Sequence, residues 1–256
     1  MYQLKIKMIN TNPILNVYEN KSIKSKISTQ LLYGEKFLII KKYKKCFKIK
    51  NLYDGYIGYI KRKKYDLITP THKILSLKAP VYKKQKNTKF LKTKKYLPFA
   101  SNIKIQKKEK IFSNFHKNSW LRNKDFVNIK YVEKNFIRVC KLFLNTKYKW
   151  GGKTFKGIDC SALIQIFFQF NNIFVPRNTK DQVIFFNNHK MRKKFKKKDL
   201  IFWKGHVAIC INNRLLIHAY GPKKRVLIMN IKKTINEITD NAKLKIIGRK
   251  KIENFT

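Results

Sequence analysis

Residues 145–182 read NTKYKWGGKTFKGIDCSALIQIFFQFNNIFVPRNTKDQ, and this stretch decides the fold of the second half of the chain. Gly151-Gly152 and then Gly157 punctuate a turn. Asp159-Cys160-Ser161 follows, and Ala162 to Phe170 is then a run of apolar and Gln residues without Gly or Pro. Such a run reads as a buried helix. The order loop, Asp-Cys-Ser, helix puts the sulfur of Cys160 at a helix N-terminus. There the unpaired N–H groups and the helix dipole favour a thiolate, the form a cysteine nucleophile needs. A candidate base lies further along, His206 in GHVAIC.

On the C-terminal side of that helix, Val175 to Thr179 reads as a loop and Lys180 to Asn187 as a short helix. Strands are expected at 199–203, 207–211, 215–218 and 226–229, joined by turns at Lys204-Gly205, Asn212-Asn213 and Gly221-Pro222. On the N-terminal side, Phe136, Val139, Cys140, Phe143 and Leu144 recur at helical spacing, so 132–145 reads as an amphipathic helix. Helices followed by an antiparallel meander make an α+β domain.

Further back the chain is rich in short β-like runs. Residues 14–18, 30–33, 37–40, 46–49 and 56–60 are five of them, with Asp54-Gly55 as a hairpin turn. They suggest a small barrel. Residues 71–128 read as a second, degenerate copy, whose Lys-rich middle (83–95) lacks periodicity and is expected to be a solvated loop.

STQLLYGE and DGYIGYI resemble the bacterial SH3-like domain that precedes a class of cell-wall peptidases. YKWGGKTFKGIDCSAL, VPRNTKDQ, DLIFW, HVAIC and LIHA, in that order, resemble the NlpC/p60 cysteine peptidases, whose Cys, His and further His follow papain-like logic. The resemblance implies an α+β chain in three parts. Residues 1–70 and 71–130 would be two small SH3-like β-barrels, and 131–256 a papain-like NlpC/p60 catalytic domain. It implies Cys160 as nucleophile, His206 as general base, His218 as the residue orienting His206, and Tyr148 beside the oxyanion hole. Asp159 and Ser161 would meet the free amine and D-Glu carboxylate of the substrate, and Trp150 and Thr179 further subsites. Tyr56, Glu19 and Glu35 are candidates for a wall that the first SH3-like domain lends to the cleft. The implied reaction is hydrolysis of the γ-D-glutamyl–diamino acid bond in short murein peptides with a free N-terminal L-Ala.

The chain departs from the family pattern at Lys198, where Gly is usual before the Asp-Leu strand, and at Ala162 in place of Gly. Structural readings stand beside the functional ones. Asp159 and Ser161 also suit helix capping, Tyr148 and Trp150 a core, His218 a satisfied core histidine, and His206 an exposed edge strand. His72, His116 and His189 have no partner pattern and are expected at the surface.

The net charge of +48 raises the question of a polyanionic partner. Arginine, the residue suited to bidentate base and phosphate recognition, supplies only eight of the 61 basic residues, and the lysines run along the whole chain. That pattern reads as codon bias, so a nucleic-acid partner is not expected. The four cysteines lack metal-ligand or disulfide spacing; Cys46, Cys140 and Cys210 read as small core residues, and no metal or cofactor is implied. No membrane span and no signal peptide are visible, which points to a soluble, cytoplasmic protein. Oligomeric state is not legible. Two other readings stay open: an endopeptidase acting on intact peptidoglycan, and a non-enzymatic basic protein that binds nucleic acid or wall polymer.

Overall fold

The structure, a computed structural model, describes residues 6–86, 89–186 and 194–252. The chain divides into two compact units, Met1–Val132 and Glu133–Thr256. Among the described residues no helix is long and apolar enough to cross a membrane.

The first unit opens with strands β1 (Ile6–Ile9), β2 (Ile14–Tyr18), β3 (Ile27–Leu32), β4 (Lys36–Lys42), β5 (Cys46–Asn51) and β6 (Ile57–Lys61). They form one antiparallel sheet in the order β1-β4-β5-β6-β2-β3. Leu15 and Val17 alternate inward along β2, and Phe37 and Ile39 along β4. With Leu31, Phe47, Ile49, Ile60 and Tyr65 they fill the core, as period-two patterning requires. The Asp54-Gly55 turn forms as expected: Gly55 has φ +72°, and the Asp54 carboxylate accepts from the Tyr56 N–H at 3.0 Å.

The rest of this unit holds β7 (His72–Ile74), β8 (Lys78–Lys84), β9 (Phe90–Pro98), β10 (Asn102–Ile103), β11 (Lys107–Lys108), β12 (Phe112–His116), β13 (Ser119–Arg122) and β14 (Phe126–Asn128). They form two sheets, β10-β7-β14 and β11-β12-β13-β8-β9. Their core includes Ile74, Val81, Leu97, Phe115 and Leu121, and also Tyr33 from the preceding sheet region. At this junction Gly34 has φ +79°, and a Cβ there would fall 1.9 Å from the Asn102 carbonyl oxygen, so only glycine fits.

The Lys-rich stretch 83–95 is not a solvated loop. Lys83 pairs with Leu91 and Lys84 with Phe90 across the β8–β9 hairpin. Lysines mask a strand from a periodicity argument because their apolar stems can lie along a sheet while the charge stays in water. Phe90 anchors the hairpin, stacked 4.1 Å from Phe112. His72 and His116 are half-buried, not at the surface; the His72 ring stands edge-on to Phe126. His189 lies outside the described residues.

The second unit mixes helix and strand. Its helices are α1 (Phe136–Leu142), α2 (Cys160–Phe170), α3 (Thr179–Phe185) and α4 (Ile231–Ala242). The short strands β15 (Lys153–Thr154) and β16 (Gly157–Ile158) pair ahead of α2. Strands β17 (Asp199–Trp203), β18 (His206–Cys210), β19 (Leu215–Tyr220), β20 (Arg225–Asn230) and β21 (Ile246–Lys251) form an antiparallel sheet in the order β20-β19-β18-β17-β21.

Helix α1 begins later than the pattern over 132–145 suggests, because the Asn135 side chain caps it by accepting from the Arg138 N–H at 3.0 Å. The chain beyond Met229 adds α4 and an edge strand that the sequence reading left unassigned. Asn230 caps α4, and Ile231 and Ile238 turn inward from it. Strand β21 covers β17, where Arg249 pairs with the buried Asp199 at 2.8 Å. Lys198 adopts φ +71°, so the turn before β17 keeps the left-handed conformation that glycine would otherwise supply. Cys46, Cys140 and Cys210 are buried, as their apolar neighbours suggest.

Candidate active site

Cys160 is the first residue of α2, and the Asp159 carboxylate caps that helix through the Ala162 N–H at 2.8 Å. Helix α2 is buried on almost every side, which fixes its N-terminus firmly. The glycines upstream let two backbone segments meet: a Cβ on Gly152 would lie 2.4 Å from the Gly157 carbonyl oxygen. The Cys160 sulfur is 4 % exposed at residue level and sits 4.0 Å from Thr179 Oγ1 and 3.9 Å from the Gly205 carbonyl oxygen. The Val207 N–H also donates to it. The thiol therefore rests against the backbone on both sides of His206.

Strands β18 and β19 carry the histidine pair. Their register, Ile209 opposite Ile217, puts His206 and His218 on diagonal positions of one face. His206 Nε2 lies 3.0 Å from His218 Nδ1, a hydrogen bond. Aromatic rings hold both imidazoles. Tyr220 stacks on His218 with centroids 4.6 Å apart and 12° between planes, and Trp203 lies 5.6 Å from the His206 centroid. On its far side, His218 Nε2 is 3.3 Å from Met229 Sδ.

The resting protonation state differs from the thiolate expected of a helix N-terminus. Burial and the adjacent Asp159 carboxylate push the Cys160 thiol up to about 11, against donors from Val207, Thr179 and Ser161 that pull it down. Burial lowers His206 to about 4. Burial and then His206 hold His218 well below its ordinary value. At neutral pH the site thus holds a thiol beside a neutral imidazole, an arrangement suited to proton transfer during attack.

A pH dependence of stability follows. Unfolded, each imidazole titrates near 6.5, whereas the folded unit keeps His206 neutral down to about 4. Between those values the unfolded chain binds more protons, so stability is lost as pH falls below about 6.5. The expected loss between pH 7 and pH 5 is on the order of 2 kcal/mol. Urea unfolding at both pH values, beside a His206→Gln/His218→Gln variant that should lose less, checks this; equal losses would contradict it.

Asp159 does more than cap. Arg177 clamps it with Nη1 to Oδ1 at 3.0 Å and Nη2 to Oδ2 at 2.6 Å. Gly151 N–H donates to Oδ2 at 2.9 Å, and Ser161 Oγ donates to Oδ1 at 3.1 Å. With the Ala162 N–H, five donors meet a carboxylate that offers about four lone-pair sites. Arg177 Nη1 also donates to Ser161 Oγ at 2.8 Å, so the Ser161 hydroxyl accepts from Arg177 and gives its hydrogen to Asp159. Asp159 is thus engaged within the turn, while the Ser161 hydroxyl, with its hydrogen donated and one bond accepted, keeps a second lone pair. The sequence reading did not single out Arg177. The available signal was its rarity: in a chain where lysine dominates, an arginine between Pro176 and Asn178 marks a place that needs a bidentate cation.

Tyr148 is half-buried, its hydroxyl pushed above its ordinary range by burial and then by Cys160, and a Cβ on Gly221 would lie 3.6 Å from its ring. Trp150 is 62 % exposed, so it is not a core aromatic. Thr179 opens α3 beside the sulfur. In the first unit Glu19 is exposed and Tyr56 half-buried, while Glu35 is buried and presents no surface for a wall.

Residues 145–240 match the NlpC/P60 family, and residues 17–64 match the bacterial dipeptidyl-peptidase Sh3 domain. The chain is similar to dipeptidyl-peptidase 6 of Lysinibacillus sphaericus, 32% identical over 85 residues, which is 33% of this chain and 31% of that protein. It is also similar to a probable endopeptidase NlpC homolog of Haemophilus influenzae, 36% identical over 94 residues, 34% of this chain and 49% of that one. The matched stretches thus span about a third and about half of those curated relatives. In fold, it superposes on an NlpC/P60 family protein from Bacillus cereus with a TM-score of 0.75 at 19% identity, covering 88% of this chain and 94% of that one. Residues 145–240 are therefore an NlpC/P60 domain, and a bacterial SH3 domain precedes it over residues 17–64.

Proposed function

We propose that the protein is a cysteine peptidase acting on murein peptides, with Cys160 as nucleophile and His206 as general base. One observation carries the reading: the Cys160 sulfur packs against the backbone on both sides of His206, whose Nε2 is held 3.0 Å from His218. Cys160 Sγ attacks the amide carbonyl carbon while its proton passes to His206. The oxyanion is met by the Cys160 backbone N–H, one of those without a partner inside the helix, and by the Tyr148 hydroxyl. Collapse expels the amine, which takes the proton from His206 and leaves a thioester. Water, giving a proton to His206, then attacks the thioester carbonyl; the C–S bond breaks, the acid leaves, and the Cys160 sulfur takes the proton back from His206. Because His206 stays neutral well below pH 6, the base remains available in mildly acidic solution.

The substrate we propose is a short murein peptide with a free N-terminal L-Ala, cut between γ-D-glutamate and the diamino acid. Release of a dipeptide from a free N-terminus agrees with the printed name of the first relative and with the Sh3 match. Such a short peptide fits recycling in the cytoplasm. We take residues 71–130 as a second, degenerate SH3-like module. Trp150 and Thr179 are assigned to subsites, Trp150 for its exposed ring and Thr179 for its place beside the sulfur. Asp159 and Ser161, in the turn that carries Cys160, are assigned to the free amine and D-Glu carboxylate of the substrate, with the Arg177 clamp holding that turn in place.

The test is cleavage of L-Ala-γ-D-Glu-diaminopimelate beside the same peptide with its amine acetylated. Preferential cutting of the free peptide is expected, by about 10- to 100-fold, the scale of one lost charged hydrogen bond. Equal cutting of both would favour an endopeptidase on intact wall. No cutting of either, with salt-sensitive binding to a polyanion, would favour the basic binding protein.

A further inference from the structure

We propose that Met229 is a positioning residue for the proton relay: its sulfur, which can only accept, holds His218 in the tautomer protonated at Nε2 and so leaves Nδ1 of His206 bare. The inference rests on the reading of His206 as base and goes one residue beyond it.

Met229, His218 and His206 form one line of donors and acceptors. His218 Nε2 lies 3.3 Å from Met229 Sδ, and a thioether sulfur has no hydrogen to give. A hydrogen bond there therefore puts the proton on His218 Nε2. A neutral imidazole has one N–H, so His218 Nδ1 is then an acceptor. Its partner 3.0 Å away is His206 Nε2, which must supply the hydrogen. His206 has now used its single N–H, and its Nδ1 carries a free lone pair. That lone pair is the group that can take the thiol proton.

With the opposite tautomers, His218 Nδ1–H would donate to His206 Nε2, and His206 would hold its proton at Nδ1. The same bond of 3.0 Å would survive, but the base would be blocked. Nothing in the pair itself chooses between the two, because both are neutral imidazoles; the choice comes from what His218 meets on its other side.

Strand geometry makes Met229 available for this. Leu227 is opposite His218 across β19 and β20, and Met229 is two residues along on the same face. A long, unbranched side chain reaches diagonally from there, while its stem packs on the core cluster of Ile201, Trp203 and Leu216. Tyr220, stacked on His218, keeps the ring plane from turning over and exchanging the two nitrogens.

The test reads the tautomers directly, by ¹⁵N NMR of the imidazoles in the full-length protein, where protonated and bare ring nitrogens resonate far apart. In the unaltered protein both His206 and His218 are expected to carry their proton on Nε2. Met229→Leu keeps the shape and removes the acceptor; it should populate the other tautomer of both rings and lower kcat about fivefold with KM little changed, the scale of one neutral hydrogen bond. Met229→Gln, which restores an acceptor oxygen at similar length, should recover the Nε2–H signals and most of the rate. A His218 proton on Nδ1 in the unaltered protein would overturn the proposal, as would unchanged tautomers in Met229→Leu. Tautomers that shift in a protein cleaving no peptide would sink the peptidase reading and leave the relay standing. Peptide cleavage with tautomers indifferent to residue 229 would do the reverse.

Discussion

Replacing Arg177 with methionine is expected to destabilise the second unit by about 3–5 kcal/mol, the usual result of stripping one partner from a buried ion pair. Arg177 is 4 % exposed and Asp159 6 %, so neither charge has water to fall back on. Without the guanidinium, the carboxylate keeps only the Gly151 and Ala162 N–H groups and the Ser161 hydroxyl. Activity should fall as well as stability. Asp159 already pushes the Cys160 thiol upward, and an uncompensated carboxylate pushes it further, making the proton harder to remove. Adding Asp159→Asn removes the stranded charge, and the double variant should regain at least half of the lost stability. Urea unfolding of the single and double variants settles it. A single variant within about 1 kcal/mol of the unaltered protein would show that the clamp does not hold the site together.

Replacing Cys160 with alanine is expected to lower kcat by a factor on the order of 10⁵, as deletion of a covalent nucleophile does. The thiol's neighbours give reasons to expect little structural cost. The sulfur's partners are weak ones for a thiol: Thr179 Oγ1 at 4.0 Å, the Gly205 carbonyl oxygen at 3.9 Å and the Val207 N–H. Helix α2 is held by its cap and its buried apolar faces, not by that sulfur. The variant should therefore unfold within about 1 kcal/mol of the parent while losing nearly all turnover. Loss of rate together with loss of folding would instead mark Cys160 as a core residue.

Much of this was legible in the sequence because the relevant signals are local. An apolar run after Asp-Cys-Ser, long for a strand and free of Gly and Pro, reads as a buried helix with its first residue at the turn, and Cys160–Phe170 is that helix. The strands carrying His206 and His218 show as apolar runs between Asn, Gly and Pro turns. What escaped is non-local or masked by composition. Strand β9 hides behind lysines that point outward while Phe90 packs on Phe112. Edge strand β21 owes its place to pairing with β17 and to the Arg249–Asp199 ion pair, neither of which is visible from 246–251 alone. Arg177 sits in a loop by any local rule, and its meaning comes from the carboxylate that caps the far, N-terminal end of α2. The expected thiolate failed for a related reason: a helix N-terminus favours it, but the depth of burial and the neighbouring Asp159 are set by packing.

The most direct test of the account is capture of the acyl-enzyme. The protein is mixed with L-Ala-γ-D-Glu-diaminopimelate, quenched in acid within one turnover, digested, and the peptide containing Cys160 is weighed. A thioester of the L-Ala-γ-D-Glu acyl group on Cys160, absent from Cys160→Ala, is the predicted result. Turnover without any adduct on that peptide, or an adduct on Cys46, Cys140 or Cys210 in its place, would contradict Cys160 as the nucleophile.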